Sequence, residues 1–203
     1  MPELSAADVN EFTGGRLADD EGDGTTTDML NAALAAARRA VGWHVSPVRT
    51  ADEVIIDGPD SRILYLPTRK LNDLTNVDED GTTLVPATSL RWNAGSPPGG
   101  YSEPVRVRKR SNGWWTDQYQ AIIVTMDHGY TEDEAADWRY AVLSMVNSMA
   151  MVTTGVSEDM LIRKTVDDVT LGYASPFSAL AEEAVGSVSR VLSDFALPVV
   201  EYM

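Results

Sequence analysis

The chain has two histidines. His44 sits in RAVGWHVSPV, residues 39–48, where a helical pattern stops. His128 sits in TMDHGYTEDE, residues 125–134, where a helical pattern resumes. Imidazoles joined by carboxylates such as Asp127 form a ligand set that suits zinc or iron, and would serve a metal-dependent hydrolase. Neither histidine has the spacing such sites use: HxH and HExxH are absent, and no second histidine lies near either one. An architectural reading competes. Trp43 and Tyr130 stand beside the two imidazoles, and ring stacking with backbone hydrogen bonds would occupy all four side chains. Trp43, His44, His128 and Tyr130 are then the structural junctions at which a β region leaves and rejoins a helical part.

Other chemistries find little footing. There is no cysteine, which removes disulfides, thiolate metal sites and cysteine nucleophiles. GxSxG, GxGxxG and the Walker pattern do not occur. The acidic clusters Asp19-Asp20-Glu21 and Asp78-Glu79-Asp80 lack EF-hand spacing and read as solvated loops. No catalytic residue, cofactor or metal is expected.

One basic run interrupts an acidic chain. Arg106, Arg108, Lys109 and Arg110 lie together, with Arg106, Arg108 and Arg110 on one face of a strand and Trp114 and Trp115 close behind. Stacking aromatics beside arginines permit a nucleic-acid surface. The formal charge of −15, from 16 basic and 31 acidic side chains, argues against tight phosphate binding. Pairing with acidic patches on a neighbouring copy or another protein is the alternative, and a solvated face is a third.

The elements that must carry these residues fall into three segments. Residues 1–47 read as helices: LSAADVNEF with Ser5 as N-cap, then a Gly/Asp-rich loop. TTTDMLNAALAAARRAV follows, with Thr26 or Thr27 as cap and Gly42 past its end. Residues 48–130 read as an inserted antiparallel β region of three hairpins. EVIIDGPDSRILYLP turns at Asp57–Asp60, LNDLTNVDEDGTTLV at Asp80-Gly81, and VRVRKRSNGWW…AIIVTMD at Asn112-Gly113. Residues 131–203 return to helix. Thr131 and Glu134 form a capping box, and Trp138, Val142, Met145, Val146, Met149 and Val152 make the buried face to Gly155. SEDMLIRKTVDDVTLGYA is a short helical turn followed by an extended segment, and Ser175-Pro176 opens a last helix that Pro198 stops. The fold class is α+β: mainly a helical bundle of about four helices with a small antiparallel insertion.

The ending LPVVEYM leaves Leu197, Val199, Val200, Tyr202 and Met203 as an apolar extended tail. It either lies across its own bundle or anchors to another subunit. The N-terminus lacks the pattern of a signal peptide, and no run approaches the ~20 apolar residues of a membrane helix, so a soluble intracellular product is expected.

In succession, AARRAVGWHVSPV, LYLPTRKLNDLTNV, VRKRSNGWW, IIVTMDHGYTEDEAADWRYAVLSMV and RKTVDDVTLGYA resemble the head-to-tail adaptor (head–tail connector) proteins of long-tailed bacteriophages, especially those infecting actinobacteria. The likeness spans most of residues 26–174. It implies a structural virion protein of the neck at the capsid vertex, made in the host bacterial cytoplasm. Such a protein forms a ring of twelve copies beneath the portal, extends the DNA channel and docks the stopper or tail, without catalysis or cofactor. Its partners would be itself, the portal protein (through the C-terminal tail) and the stopper or tail protein. Genomic DNA would pass without specific binding, and no membrane is involved. A stopper or tail terminator is the alternative within the virion; the metal-dependent hydrolase and the DNA-binding protein are the alternatives outside it.

Overall fold

A computed structural model describes residues 4–18, 24–98, 104–155, 165–166, 169–170 and 176–198. The chain divides into two compact units. One is Met1–Val41 with Ala136–Ser193; the other is Gly42–Ala135 with Asp194–Met203. Helices and antiparallel sheets together make the α+β class expected.

In the first unit, α1 (Ala6–Phe12) begins with the anticipated Ser5 cap, whose hydroxyl accepts from Asp8 N–H while the Asp8 carboxylate accepts from Ser5 N–H. The second helix, α2 (Thr25–Val41), starts earlier than its threonines suggest. Asp28 N–H donates to the Gly24 carbonyl, so Gly24 takes the N-cap position and Thr26 is buried inside the helix. Thr26 and Thr27 are therefore not caps; an N-cap glycine offers no side-chain signal. Helix α2 buries Met29, Leu30, Ala33, Leu34, Ala37 and Val41. Its alanines let α4 (Ala136–Gly155) approach, which buries Trp138, Ala141, Val142, Met145, Val146 and Met149. Two contacts tie α1 to α4: Phe12 meets Tyr140 edge-on with ring centroids 5.5 Å apart, and Arg139 lies 3.6 Å from Asp8. The last helix, α5 (Pro176–Phe195), joins α2 through an exposed Arg39–Glu182 pair. Two short strands, β8 (Thr165–Val166) and β9 (Val169–Thr170), pair between α4 and α5 where an extended segment was expected. Ser175 and Val199–Met203 lie outside the described residues, as does the turn of helix expected before β8.

The second unit holds two sheets. The first runs β1 (Arg49–Ile56), β7 (Ile122–His128), β3 (Leu71–Glu79), β4 (Thr82–Leu84), antiparallel throughout. The second runs β2 (Leu64–Tyr65), β6 (Arg106–Lys109), β5 (Leu90–Trp92), and a short helix α3 (Pro86–Ser89) leads into β5. Leu71, Leu74, Val77, Ile122, Val124 and Met126 of the first sheet pack against Leu64, Leu90 and Val107 of the second, with Trp115 closing the core. The unit is thus a small sandwich with one inner layer and two outward faces.

Only one of the three expected hairpins forms. Strands β3 and β4 pair across Asp80-Gly81, both at positive φ (52° and 75°), as a two-residue turn demands. The DGPD segment instead makes a corner between the sheets. Gly58 N–H and Asp60 N–H donate to the carbonyls of Gln118 and Thr116, sending β1 to β7 and β2 to β6. Likewise Asn112 turns the chain at φ 57°, but the returning residues run past Ser61, and β6 never pairs with β7. Alternation specifies which side of a strand is buried. It does not specify the partner.

Candidate functional site

The four junction side chains lie together in the second unit. Trp43 and Tyr130 meet edge-to-face at 5.7 Å between centroids, and the His44 and His128 rings do so at 6.0 Å. Tyr130 also packs on Phe195 at 5.9 Å. Two polar tips find carbonyls: Trp43 Nε1–H donates to Phe195 O at 2.7 Å, and Tyr130 O–H donates to Ser96 O at 2.6 Å. Burial raises the Tyr130 phenol above its ordinary pKa, against the opposing charge of Arg69.

The imidazoles act as donors. His44 Nε2 is 2.6 Å from the Pro47 carbonyl, and His128 Nε2 is 2.9 Å from Asp52 Oδ2. A carbonyl and a carboxylate only accept, so each Nε2 carries the proton. The hydrogen bond from His128 holds the Asp52 carboxyl below the ordinary range, helped by Arg49 and His44 and opposed by burial. Asp127 is elsewhere employed, accepting from Ala51 N–H at 2.7 Å. Among the described residues no group of three His, Asp or Glu side chains is arranged to hold a metal. Two bonds here cross between segments, His128 of β7 to Asp52 of β1 and Tyr130 N–H to the Val45 carbonyl, while the His44–Pro47 bond stays within the approach to β1.

The basic run divides. Lys109 turns to the core side, 2.5 Å from Glu79 and 4.9 Å from the Trp115 ring centroid. Arg110 donates from Nε to the Leu90 carbonyl at 2.8 Å. Arg106 and Arg108 face outward, and strand register sets Arg91 directly opposite Arg108. With Trp92 and Asn93 these three arginines line a shallow groove of about 340 Å³. Arg91 was invisible as a member of this group, since only β5–β6 pairing brings it in. Trp114 is exposed, with the Arg62 guanidinium 6.0 Å from its ring centroid, while Trp115 is buried.

The chain end leaves through a third feature. Arg69, fully buried, donates from Nη1 to the carbonyls of Asp194 and Ala196, catching the backbone as α5 ends. Its own backbone is crowded: a Cβ on Gly95 would lie 1.8 Å from the Arg69 carbonyl, so only glycine fits there, at φ 91°. Leu197 and Pro198 then form one wall of an apolar groove of about 710 Å³, whose other walls include Val54, Ile56, Tyr65 and Leu66. Val199, Val200, Tyr202 and Met203 lie outside the described residues.

No protein-family model matches the chain, and no curated protein matches it. Solved structures do share its fold. A chain from the neck of an empty GTA particle, computed with C6 symmetry, is 13% identical, with 98% of this chain and 92% of that one covered at a TM-score of 0.58. One from the neck of a native GTA particle, computed with C12 symmetry, is 14% identical over 98% and 96% of the two chains, at 0.54. One from the virion of a native gene transfer agent particle is 12% identical over 98% and 92%, at 0.55. At such identities the likeness is one of fold.

Proposed function

We propose that this chain is a structural component of the neck of a phage-like particle: a head-to-tail adaptor that forms a ring beneath the portal, extends the DNA channel and docks the next neck component. The observation that carries this reading is the extent of the shared fold, 98% of the chain, with chains from GTA necks. Those necks were computed with C6 and C12 symmetry, which supports a cyclic assembly and a count of twelve. The junction cluster suits a structural role, since His128 ties β7 to β1 through Asp52 and His44 bonds the Pro47 carbonyl ahead of β1. The net charge of −15 suits a wall past which DNA moves without adhering. On this reading Leu197, Val199, Val200, Tyr202 and Met203 seat on the portal, and synthesis takes place in the host cytoplasm.

Co-sedimentation with portal rings of the same particle tests the reading. The full chain is compared with a truncation lacking residues 199–203, and the pellets are imaged by electron microscopy. Saturable binding that adds a ring of density at one end of the portal is expected, weakened by the truncation. A full chain that leaves intact portal rings bare overturns the adaptor role and favours a later neck component. Undiminished binding by the truncation removes the tail from the contact.

A further inference from the structure

The two outward faces of the sandwich carry opposite charge. On the three-stranded sheet, register and alternation put Arg91, Arg106 and Arg108 side by side. Arg91 and Arg108 meet no carboxylate among the described residues. On the four-stranded sheet, β7 buries Ile122, Val124, Met126 and His128 and turns Ile123, Thr125 and Asp127 outward. Their register partners complete that face: Glu53 opposite Thr125, Ile55 opposite Ile123, Asp73 opposite Asp127, and Asp78 opposite Ile123 from the other side. None of these outward positions is basic. Ile55, 57% exposed, lies on the edge strand β1 of this face, across from Ile123.

Charge of one sign on one face and of the other sign on the opposite face is a head-to-tail arrangement. An isologous contact would bring like charges together. A heterologous one brings the arginine face of each copy onto the carboxylate face of the next, and repeats until the rotation closes a ring. We infer that the lateral contact between copies of this chain is made by these two faces, Arg91, Arg106 and Arg108 of one subunit against Glu53, Asp73 and Asp78 of its neighbour. Exposed Ile55 and its partner Ile123 add apolar contact along the β1 edge, and the arginine fork supplies bidentate partners for carboxylates. This rests on the ring proposed above and assigns its contact surface.

The absence of cysteine makes introduced thiols unambiguous. Full-length chains carrying Arg108→Cys, Asp73→Cys, or both are loaded on portal rings and treated with a short thiol crosslinker. The double variant is expected to give a ladder of multimers, a mixture of the single variants only dimers, and each single variant alone only monomer. Dimers from one single variant alone would mean like faces meet, and would overturn the assignment. A second set replaces charge: Arg91→Glu with Arg108→Glu in one chain, Glu53→Lys with Asp73→Lys in another. Each chain alone is expected to lose ring assembly on the portal, and an equal mixture to regain it as alternating subunits. Melting curves matched to the unaltered chain guard against unfolding. Unaltered chain that loads as a ring while unlike faces neither crosslink nor rescue each other overturns this contact and leaves the adaptor role standing. Unaltered chain that does not load overturns the adaptor role itself.

Discussion

His128 and Asp52 show how one buried ring settles several questions at once. The ring is 3% exposed and spends its Nε2 proton on a carboxylate of the neighbouring strand. That proton makes Asp52 more acidic, and the linkage sign follows: a carboxyl whose folded pKa is depressed stabilises the fold above its unfolded value and loses that contribution as pH falls through the folded one. Glu134, held low by Lys70 and by the Thr131 backbone, acts in the same direction. The sandwich unit is therefore expected to lose stability as pH drops below ~4, the ordinary carboxylate range. Asp52→Asn keeps the shape and removes the titration. Urea unfolding followed by the fluorescence of Trp43 and Trp115 should show a less stable variant at pH 7 and a shallower decline in acid. A variant with the parent's decline would remove Asp52 from the account. At this scale the sequence was informative about adjacency of type, Trp-His and His-Gly-Tyr, and about the lack of metal spacing. It was silent on Asp52, because a bulge between Arg49 and Asp52 sets which β1 residue reaches His128.

Elements whose signals are local were legible, and those whose partners are distant were not. The capping box at Thr131 and Glu134 forms, with Thr131 N–H donating to Glu134 Oε2 at 3.0 Å and Glu134 N–H to Thr131 Oγ1 at 3.3 Å. It sits in the turn that feeds α4, and Lys70 reaches the same glutamate at 2.8 Å. Thr131→Ala is expected to cost about 1 kcal/mol, readable as a shift in the urea midpoint without change of slope. Glu134→Gln should cost less, since it keeps the reciprocal acceptor; the opposite order would mean that the Lys70 pair, and not the cap, secures this turn. Four residues are enough to write a capping box. The strand partners are different. Val54 pairs with Val124 and Leu64 with Val107, separations no turn motif spans. DGPD forms no turn of its own, only a bend at Asp60, and the turn before Gly113 closes from Asn112 N–H to the Lys109 carbonyl; both send the chain toward another sheet. The arginine face fell into the same gap: its strand was apparent, and Arg91 came with the register.

Over the whole chain, 31 acidic side chains against 16 basic ones decide how the arginine face behaves in solution. A groove lined by Arg91, Trp92 and Arg108 has the makings of a single-strand or duplex contact. Phosphate backbones approaching it also meet the field of the remaining carboxylates, and non-specific affinity is governed by that sum and by salt. A short protein face approaches differently: its carboxylates come singly, at strand spacing, and its apolar groups add what screening does not remove. The unaltered chain is therefore expected to leave labelled duplex free in anisotropy titrations at about 0.15 M salt, where the screening length is ~8 Å. The variant with Glu53→Lys and Asp73→Lys lowers the formal negative charge by four, and should bring weak, steeply salt-dependent binding into range. Duplex binding by the unaltered chain in the low micromolar range would turn the arginine face into a nucleic-acid surface and overturn its assignment to a protein contact. Absence of binding by both proteins, with the charge-reversed chain still folded, would show that the arginines are held too tightly in their groove to follow a phosphate backbone. That outcome is compatible with a fixed protein partner and not with a sliding one.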